Sequence, residues 1–144
     1  SLTQNIPYMI KYRKFFGIIR IFLGILFFMY PAYEFFSQGD LQSEESFRWL
    51  FVMLFFLAYA YSSVKNGIRE IGGLNPAFNL LRFFEASMNG FLSLYLLILV
   101  FASEMSGFAN FFIIILALIT IFNMVRDIRL ISLQYYEKKQ KTRK

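Results

Sequence analysis

The chain has 144 residues, 58% of them hydrophobic and 20 of them Phe, and it carries a net charge of +6. A soluble domain of this size could not bury so much apolar surface, so the composition favours a membrane protein. The sequence contains no Cys and no His, which excludes disulfides and thiol chemistry and leaves few ligands for zinc, copper or iron. We therefore expect no cofactor and no metal site.

Four hydrophobic segments account for most of the sequence, and each is close to the roughly 20 apolar residues needed to cross a bilayer. They cover residues 15–36, 49–64, 86–103 and 105–125, and the last three contain no charged residue. We therefore predict an all-α integral membrane protein, a four-transmembrane-helix bundle that forms a single domain over residues 1–144.

The positive charges lie almost entirely on one side of these segments. Of the 15 Lys and Arg residues, only Arg48 falls on the opposite side, which instead carries Glu34, Asp40, Glu44, Glu45 and Glu104. Because cytoplasmic loops are enriched in Lys and Arg, we predict that the N-terminus and the C-terminus are both cytoplasmic. The expected location is the bacterial cytoplasmic membrane, and an organelle inner membrane is the alternative.

The first segment is predicted to begin in the membrane interface and to remain as an anchor. Asn5 and Pro7 are typical of a helix start, and residues 8–14 precede the apolar part. The segment is too long for the apolar region of a signal peptide and is not followed by small residues suited to cleavage. Pro31 is expected to kink or end this helix near its outer mouth.

The second segment carries clear start and stop signals. Ser43, followed by two Glu residues, predicts the N-cap and an acidic first turn, and Trp49 sits at interfacial depth. Gly72 and Gly73 are expected to end the helix.

The third and fourth segments are predicted to be antiparallel neighbours, since only residues 103–107 connect them. Asn75 and Pro76 predict that helix three begins along the surface and enters the membrane near Phe84. No stop signal follows Val125, so helix four is expected to extend into the cytoplasm over residues 126–136 and to fray over 137–144.

Short similarities suggest a tandem repeat of two hairpins. Residues 22–26 resemble 91–95, and residues 64–69 resemble 125–129 if one gap is allowed. Chance matches between apolar strings, with basic residues clustered on one side, are the alternative explanation.

Polar residues within the segments fall into stripes at helical spacing, and all the stripes converge on the basic half of the bundle. The stripes contain Gly17, Arg20 and Gly24 on helix one; Ala58, Ser62, Lys65 and Arg69 on helix two; Arg82, Glu85, Ala86, Asn89, Gly90 and Ser93 on helix three; and Thr120, Asn123 and Asp127 on helix four. From these we predict an intramembrane polar cluster formed by Arg20, Ser62, Glu85, Asn89, Ser93, Thr120, Asn123 and Asp127, with Arg20 and Glu85 paired.

Two interpretations of this cluster remain open. It could line a hydrated vestibule that binds a polar solute, because intramembrane charges cost about 2.5–3.5 kcal/mol each on insertion scales and are often functional. Alternatively, Arg20 and Glu85 lie near the boundary, pair with each other, and the small and polar residues serve helix packing. The outer half has no matching polar lining, which argues against a continuous pore.

The C-terminal tail concentrates cations at Lys138, Lys139, Lys141, Arg143 and Lys144. These residues could set topology, contact anionic lipids, or contact an acidic partner, whereas nothing in the sequence supports nucleic-acid binding.

No nucleophile and base pair is recognisable, so we expect no enzymatic activity. The sequence favours a scaffold or accessory subunit that contacts other membrane subunits or itself, and the alternative is a small transporter or channel.

Overall fold

The computed structural model describes residues 12–102 and 106–143, which form four α-helices. The helices are α1 (Arg13–Ser37), α2 (Glu44–Ile71), α3 (Leu80–Ala102) and α4 (Gly107–Arg143), and no strand occurs in these two ranges. All four are long and apolar enough to cross a membrane, so the all-α class and the four candidate spans are confirmed. Residues 103 and 105, at the predicted ends of spans three and four, lie outside the described residues.

Helix α1 passes through Pro31 and continues to Ser37, so the expectation that Pro31 ends the helix is wrong. Proline removes one backbone hydrogen bond, but its fixed φ is compatible with a helix, and transmembrane helices tolerate it. The predicted interfacial helix over residues 8–14 lies mostly outside the described residues. Tyr12 is in a turn, and the helix begins at Arg13.

Helix α2 has the predicted caps. The Ser43 hydroxyl accepts a hydrogen bond from the Ser46 backbone N–H at 3.1 Å, and two Glu residues occupy the first turn. The helix ends at Ile71, and Gly73 adopts a left-handed conformation with φ of 84°.

Helix α3 begins at Leu80, so the start predicted at Asn75 and Pro76 is wrong. The Asn79 side chain accepts a hydrogen bond from the Arg82 backbone N–H at 2.9 Å and thereby caps the helix. The preceding segment is not helical because its backbone bonds to side chains instead. The Asn75 carbonyl accepts from Arg69, and the Ala77 N–H donates to Asn66.

Helix α4 extends well past Val125, as predicted, but it does not fray after Glu137. It remains helical to Arg143, and Lys144 lies outside the described residues. Lys, Glu and Gln are good helix formers, and the spacing of Glu137 and Lys141 allows a favourable pair of opposite charges. These local preferences account for the continued helix.

The described residues form two compact units that divide between Glu85 and Ala86. In the N-terminal unit, α1 and α2 pack antiparallel at the closest distance that backbones allow. A Cβ on Gly17 would lie 2.6 Å from the Gly67 carbonyl oxygen, and a Cβ on Gly67 would lie 2.5 Å from the Gly17 oxygen. Only glycine fits at both positions. Gly24 also faces α2, but less tightly, since a Cβ there would lie 3.1 Å from the Ser63 Cβ.

In the C-terminal unit, α4 buries one continuous stripe of side chains. Gly90 on α3 lies beside Met124 on α4, since a Cβ on this glycine would be 3.5 Å from the Met124 sulfur. The buried residues of α4 recur every three or four positions, as the helical period requires. They are Leu116, Ala117, Thr120, Asn123, Arg126, Asp127 and Leu130.

Candidate functional site: a buried ionic cluster

The N-terminal unit contains a buried arginine between two carboxylates. Arg20 lies on the face of α1 that also carries Gly17 and Gly24, and its side chain is fully buried. Its Nε donates to Glu70 Oε2 on α2 at 2.8 Å, and its Nη1 donates to Glu85 Oε2 in the second turn of α3. The predicted ion pair between Arg20 and Glu85 is therefore present, with a second carboxylate added.

Neutral side chains from α2 complete the hydrogen bonding of Glu85. Its Oε1 accepts from Ser62 Oγ at 2.8 Å and from Asn66 Nδ2 at 2.9 Å. Both carboxylate oxygens of Glu85 therefore accept hydrogen bonds from other helices. We call Arg20, Ser62, Asn66, Glu70 and Glu85 the ionic cluster.

The charged side chains of the ionic cluster are removed from water and bond to one another. Glu70 and Glu85 are fully buried, and each accepts from the same guanidinium. Removing these charges from water costs several kcal/mol per ion, and that cost is offset only when geometry is good and the remaining polar atoms are satisfied. The arrangement meets this condition and ties together α1, α2 and the start of α3.

The connection between α2 and α3 is held against the same end of the unit. Arg13 donates from Nη1 to the Gly73 carbonyl at 2.8 Å and from Nη2 to Asn75 Oδ1 at 2.7 Å. Arg69 Nε donates to the Asn75 carbonyl at 2.9 Å. Two arginines therefore hold this loop by three hydrogen bonds.

The remaining predicted cluster residues lie in the C-terminal unit, where Asn89, Ser93, Thr120, Asn123 and Asp127 are all buried. The Ser93 hydroxyl donates to the Asn89 carbonyl at 2.8 Å, and the Thr120 hydroxyl donates to the Leu116 carbonyl at 2.7 Å. These hydroxyls are satisfied within their own helices. In contrast, neither amide atom of Asn123, which is 1% exposed, hydrogen-bonds to any group in the part of the chain that the structure describes.

The polar stripe predicted on α2 was misplaced by one residue. Of Ala58, Ser62, Lys65 and Arg69, only Ser62 is buried, and Lys65 is exposed. The buried stripe instead contains Tyr59, Ser62, Ser63, Asn66, Gly67 and Glu70. The sequence contained a signal for the buried side of α2. Lys65 and Arg69 have long side chains that can keep their charge in water, whereas Asn66 and Glu70 have shorter side chains that need partners within the protein.

The predicted lipid-contact residues lie far along α4. Lys138, Lys139, Lys141 and Arg143 are exposed, and Lys144 lies outside the described residues. Lys138 is 13 residues beyond Val125, which corresponds to about 20 Å along the helix axis. If Val125 marks the membrane boundary, contact with lipid headgroups requires this part of α4 to lie near the surface, whereas a projecting helix would reach an acidic partner.

The described residues include no group of three or more Asp and Glu side chains that could hold a metal ion. The sequence matches no protein-family model, and comparison with curated proteins and with solved structures finds no similar protein.

Proposed function

We propose that the protein is a non-catalytic scaffold or accessory subunit of a membrane complex or homo-oligomer, with both termini cytoplasmic. The observation that carries this proposal is the buried ionic cluster, which links three helices. Glu85 accepts three side-chain hydrogen bonds, from Arg20, Ser62 and Asn66, so its carboxylate is committed to holding helices together. The bacterial cytoplasmic membrane is the favoured location, and an organelle inner membrane is the alternative.

A transport site must release its ligand and therefore has to exchange partners. In the ionic cluster the strongest donor and the strongest acceptors bind each other, and exchange would leave buried charges uncompensated. The backbone contact between Gly17 and Gly67 further favours a rigid α1–α2 hairpin. A rigid hairpin with exposed Phe22, Phe36 and Phe51 offers a fixed apolar surface to lipid or to other subunits.

Purification in a mild detergent, with the particle mass and the co-purifying chains determined, tests this proposal. A hetero-complex or homo-oligomer of fixed stoichiometry supports it. A monomer that co-purifies with nothing and catalyses solute flux in vesicles overturns it.

A second candidate function is a small transporter or channel with a polar vestibule on the basic side, and one observation favours it. Asn123 is buried with an amide that bonds to no described group, and a buried amide in this condition is stabilised by a polar solute or water. Under this candidate, Asn123→Leu abolishes solute-dependent stabilisation or flux while assembly is unchanged. Under the scaffold proposal, the substitution changes neither solute response nor partner retention.

A further inference from the structure

The N-terminal unit has an apolar groove between α2 and the first turns of α3. Its volume is about 410 Å³, and it is lined by Phe51, Leu54, Phe55, Ala58, Leu81 and Phe84. Three aromatic rings form its walls, with ring centroids 5.3 Å apart for the pair on α2 and 6.2 Å apart for Phe55 and Phe84. Ala58 is the smallest lining residue and leaves space between them.

Two cations continue the line of this groove along α2. Phe51, Ala58 and Lys65 recur at seven-residue intervals, and Arg69 follows four residues later, so all four share one face. Lys65 is exposed, and its Nζ lies 5.7 Å from the centre of the Tyr61 ring. The side of α2 that carries Ala58, Lys65 and Arg69 is therefore an apolar groove followed by two cations.

The spacing fits the depth of one lipid leaflet. Along the helix axis, Ala58 lies about 10 Å and Phe55 about 15 Å from Lys65, whereas Phe51 lies about 21 Å away. One leaflet contributes roughly 15 Å of hydrocarbon, half of the bilayer core. A lipid with its phosphate beside Lys65 would therefore place the distal part of one acyl chain in the end of the groove between Ala58 and Phe55.

We propose that this groove binds one acyl chain of an anionic phospholipid from the leaflet on the basic side, with the phosphate next to Lys65 and Arg69. The lining offers no polar group to hold water, so an apolar occupant is required at this depth. The aligned cations select a negatively charged headgroup over a zwitterionic one. The site does not depend on the scaffold proposal, because no residue of the ionic cluster lines the groove or contacts the proposed phosphate. The cluster only stabilises the fold that forms the groove.

A fluorescence experiment can test the site, because Trp49 is the single tryptophan. In a Trp49→Phe background, Leu54→Trp places a reporter in the groove. Leu57→Trp places a matched reporter at similar depth on the exposed surface of α2 beside the groove, which Leu57 does not line. Both proteins are reconstituted in vesicles of phosphatidylcholine with brominated acyl chains, which quench tryptophan on contact. Unbrominated phosphatidylglycerol or phosphatidylcholine is then added.

At the groove reporter, phosphatidylglycerol should relieve quenching at about fivefold lower fraction than phosphatidylcholine, as one cation contact implies. We assign this contact to the exposed Lys65, because half-buried Arg69 already donates to the Asn75 carbonyl. The Leu57 reporter should show no preference. Adding Lys65→Gln to the groove reporter should remove the preference, and adding Lys14→Gln, which changes an exposed cation of α1, should leave it unchanged.

Equal preferences at the two reporters, or a preference that survives Lys65→Gln, would overturn the proposal. A groove reporter that brominated lipid never quenches would also overturn it, since a protein segment or a second copy would then fill the groove.

Ala58→Phe should reduce quenching at the groove reporter by filling the space. Undiminished quenching in a helical, monodisperse Ala58→Phe protein contradicts occupation of the groove by an acyl chain.

Discussion

Arg20 is the residue on which the N-terminal unit depends most. Its guanidinium donates hydrogen bonds to both Glu70 and Glu85, and all three side chains are fully buried. Loss of the cation would leave two carboxylates buried side by side. Because Glu70 also binds Arg20, simply exchanging Arg20 and Glu85 would place a new carboxylate against Glu70.

Arg20→Ala is expected to destabilise the protein by about 3–5 kcal/mol, the range for breaking a buried ion pair by removing one partner. Adding Glu70→Gln and Glu85→Gln should restore a large part of this loss, because the neutral amides no longer carry uncompensated charge. Unfolding in detergent, followed by circular dichroism, measures both effects. Lys14→Ala, at an exposed site, should stay within about 0.5 kcal/mol of wild type. Strictly additive losses would contradict the coupling.

Asn66 and Asn123 are both buried amides, but within residues 12–102 and 106–143 only Asn66 has hydrogen bonds to lose. Asn66→Leu should lower stability by about 2–3 kcal/mol, because it removes bonds to Glu85 and to the Ala77 N–H. Asn123→Leu should be neutral or stabilising, because an apolar side chain replaces an amide without a partner among the described residues. The same unfolding assay compares the two. A larger loss of stability at Asn123 than at Asn66 would show that the Asn123 amide forms hydrogen bonds, contrary to this expectation.

At the scale of elements, small residues set how closely α1 and α2 approach each other. Gly17 and Gly67 bring the two backbones into contact, and the Ser63 hydroxyl donates to the Arg20 carbonyl at 2.6 Å. Because the two helices lie so close together, the Arg20 side chain on α1 can reach Glu70 on α2 at 2.8 Å. The glycine contact and the ionic cluster therefore support each other.

Gly17→Ala is expected to cost about 1–3 kcal/mol, because its methyl group would meet the Gly67 carbonyl, a backbone atom that cannot move independently. Gly39→Ala is the matched control, since nothing lies within 4 Å of a Cβ at that position. Melting temperatures in detergent would compare them. If Gly17→Ala proves as harmless as Gly39→Ala, the helices are not held in backbone contact.

At the scale of the whole molecule, the loops at the two ends of α2 differ in how they are held. Gly39 lies in an exposed connection, whereas Asn75 is bonded by Arg13 and Arg69. A reporter inserted near Asn75 would therefore disturb the loop, and single cysteines are a gentler probe of topology. Orientation, the tandem repeat, the single domain and the oligomeric state stay predictions.

Single-cysteine variants can test orientation, because the native chain has no Cys. With both termini cytoplasmic, a membrane-impermeant thiol reagent should label Gly39→Cys in intact cells. Gln140→Cys, on the exposed end of α4, should react only after the membrane is opened. The reverse pattern would overturn the predicted topology, and a reporter fused after Lys144 provides an independent check.

The sequence alone determined the number of helices and most of their ends, because apolar length and local capping residues such as Ser43 and Gly72 act within a few residues of chain. It also placed Arg20 and Glu85 on stripes that meet. Tertiary structure decided which side of α2 is buried. Adjacent positions of a helix differ by about 100° in direction, so Lys65 and Asn66 point to neighbouring sides of α2. Which of the two is buried depended on how α2 packs against Gly17 and Gly24 of α1.

Tertiary structure also decided the second partner of Arg20 and the start of α3. Glu70 is far from Glu85 in the chain, and no local spacing relates either carboxylate to Arg20. Asn75 and Pro76 have the local pattern of a helix start, but side chains of Arg69 and Asn66 bind that backbone, so the helix begins after Asn79. Hydrogen bonds from side chains six and eleven residues away in the chain outweighed a local preference worth about 1 kcal/mol.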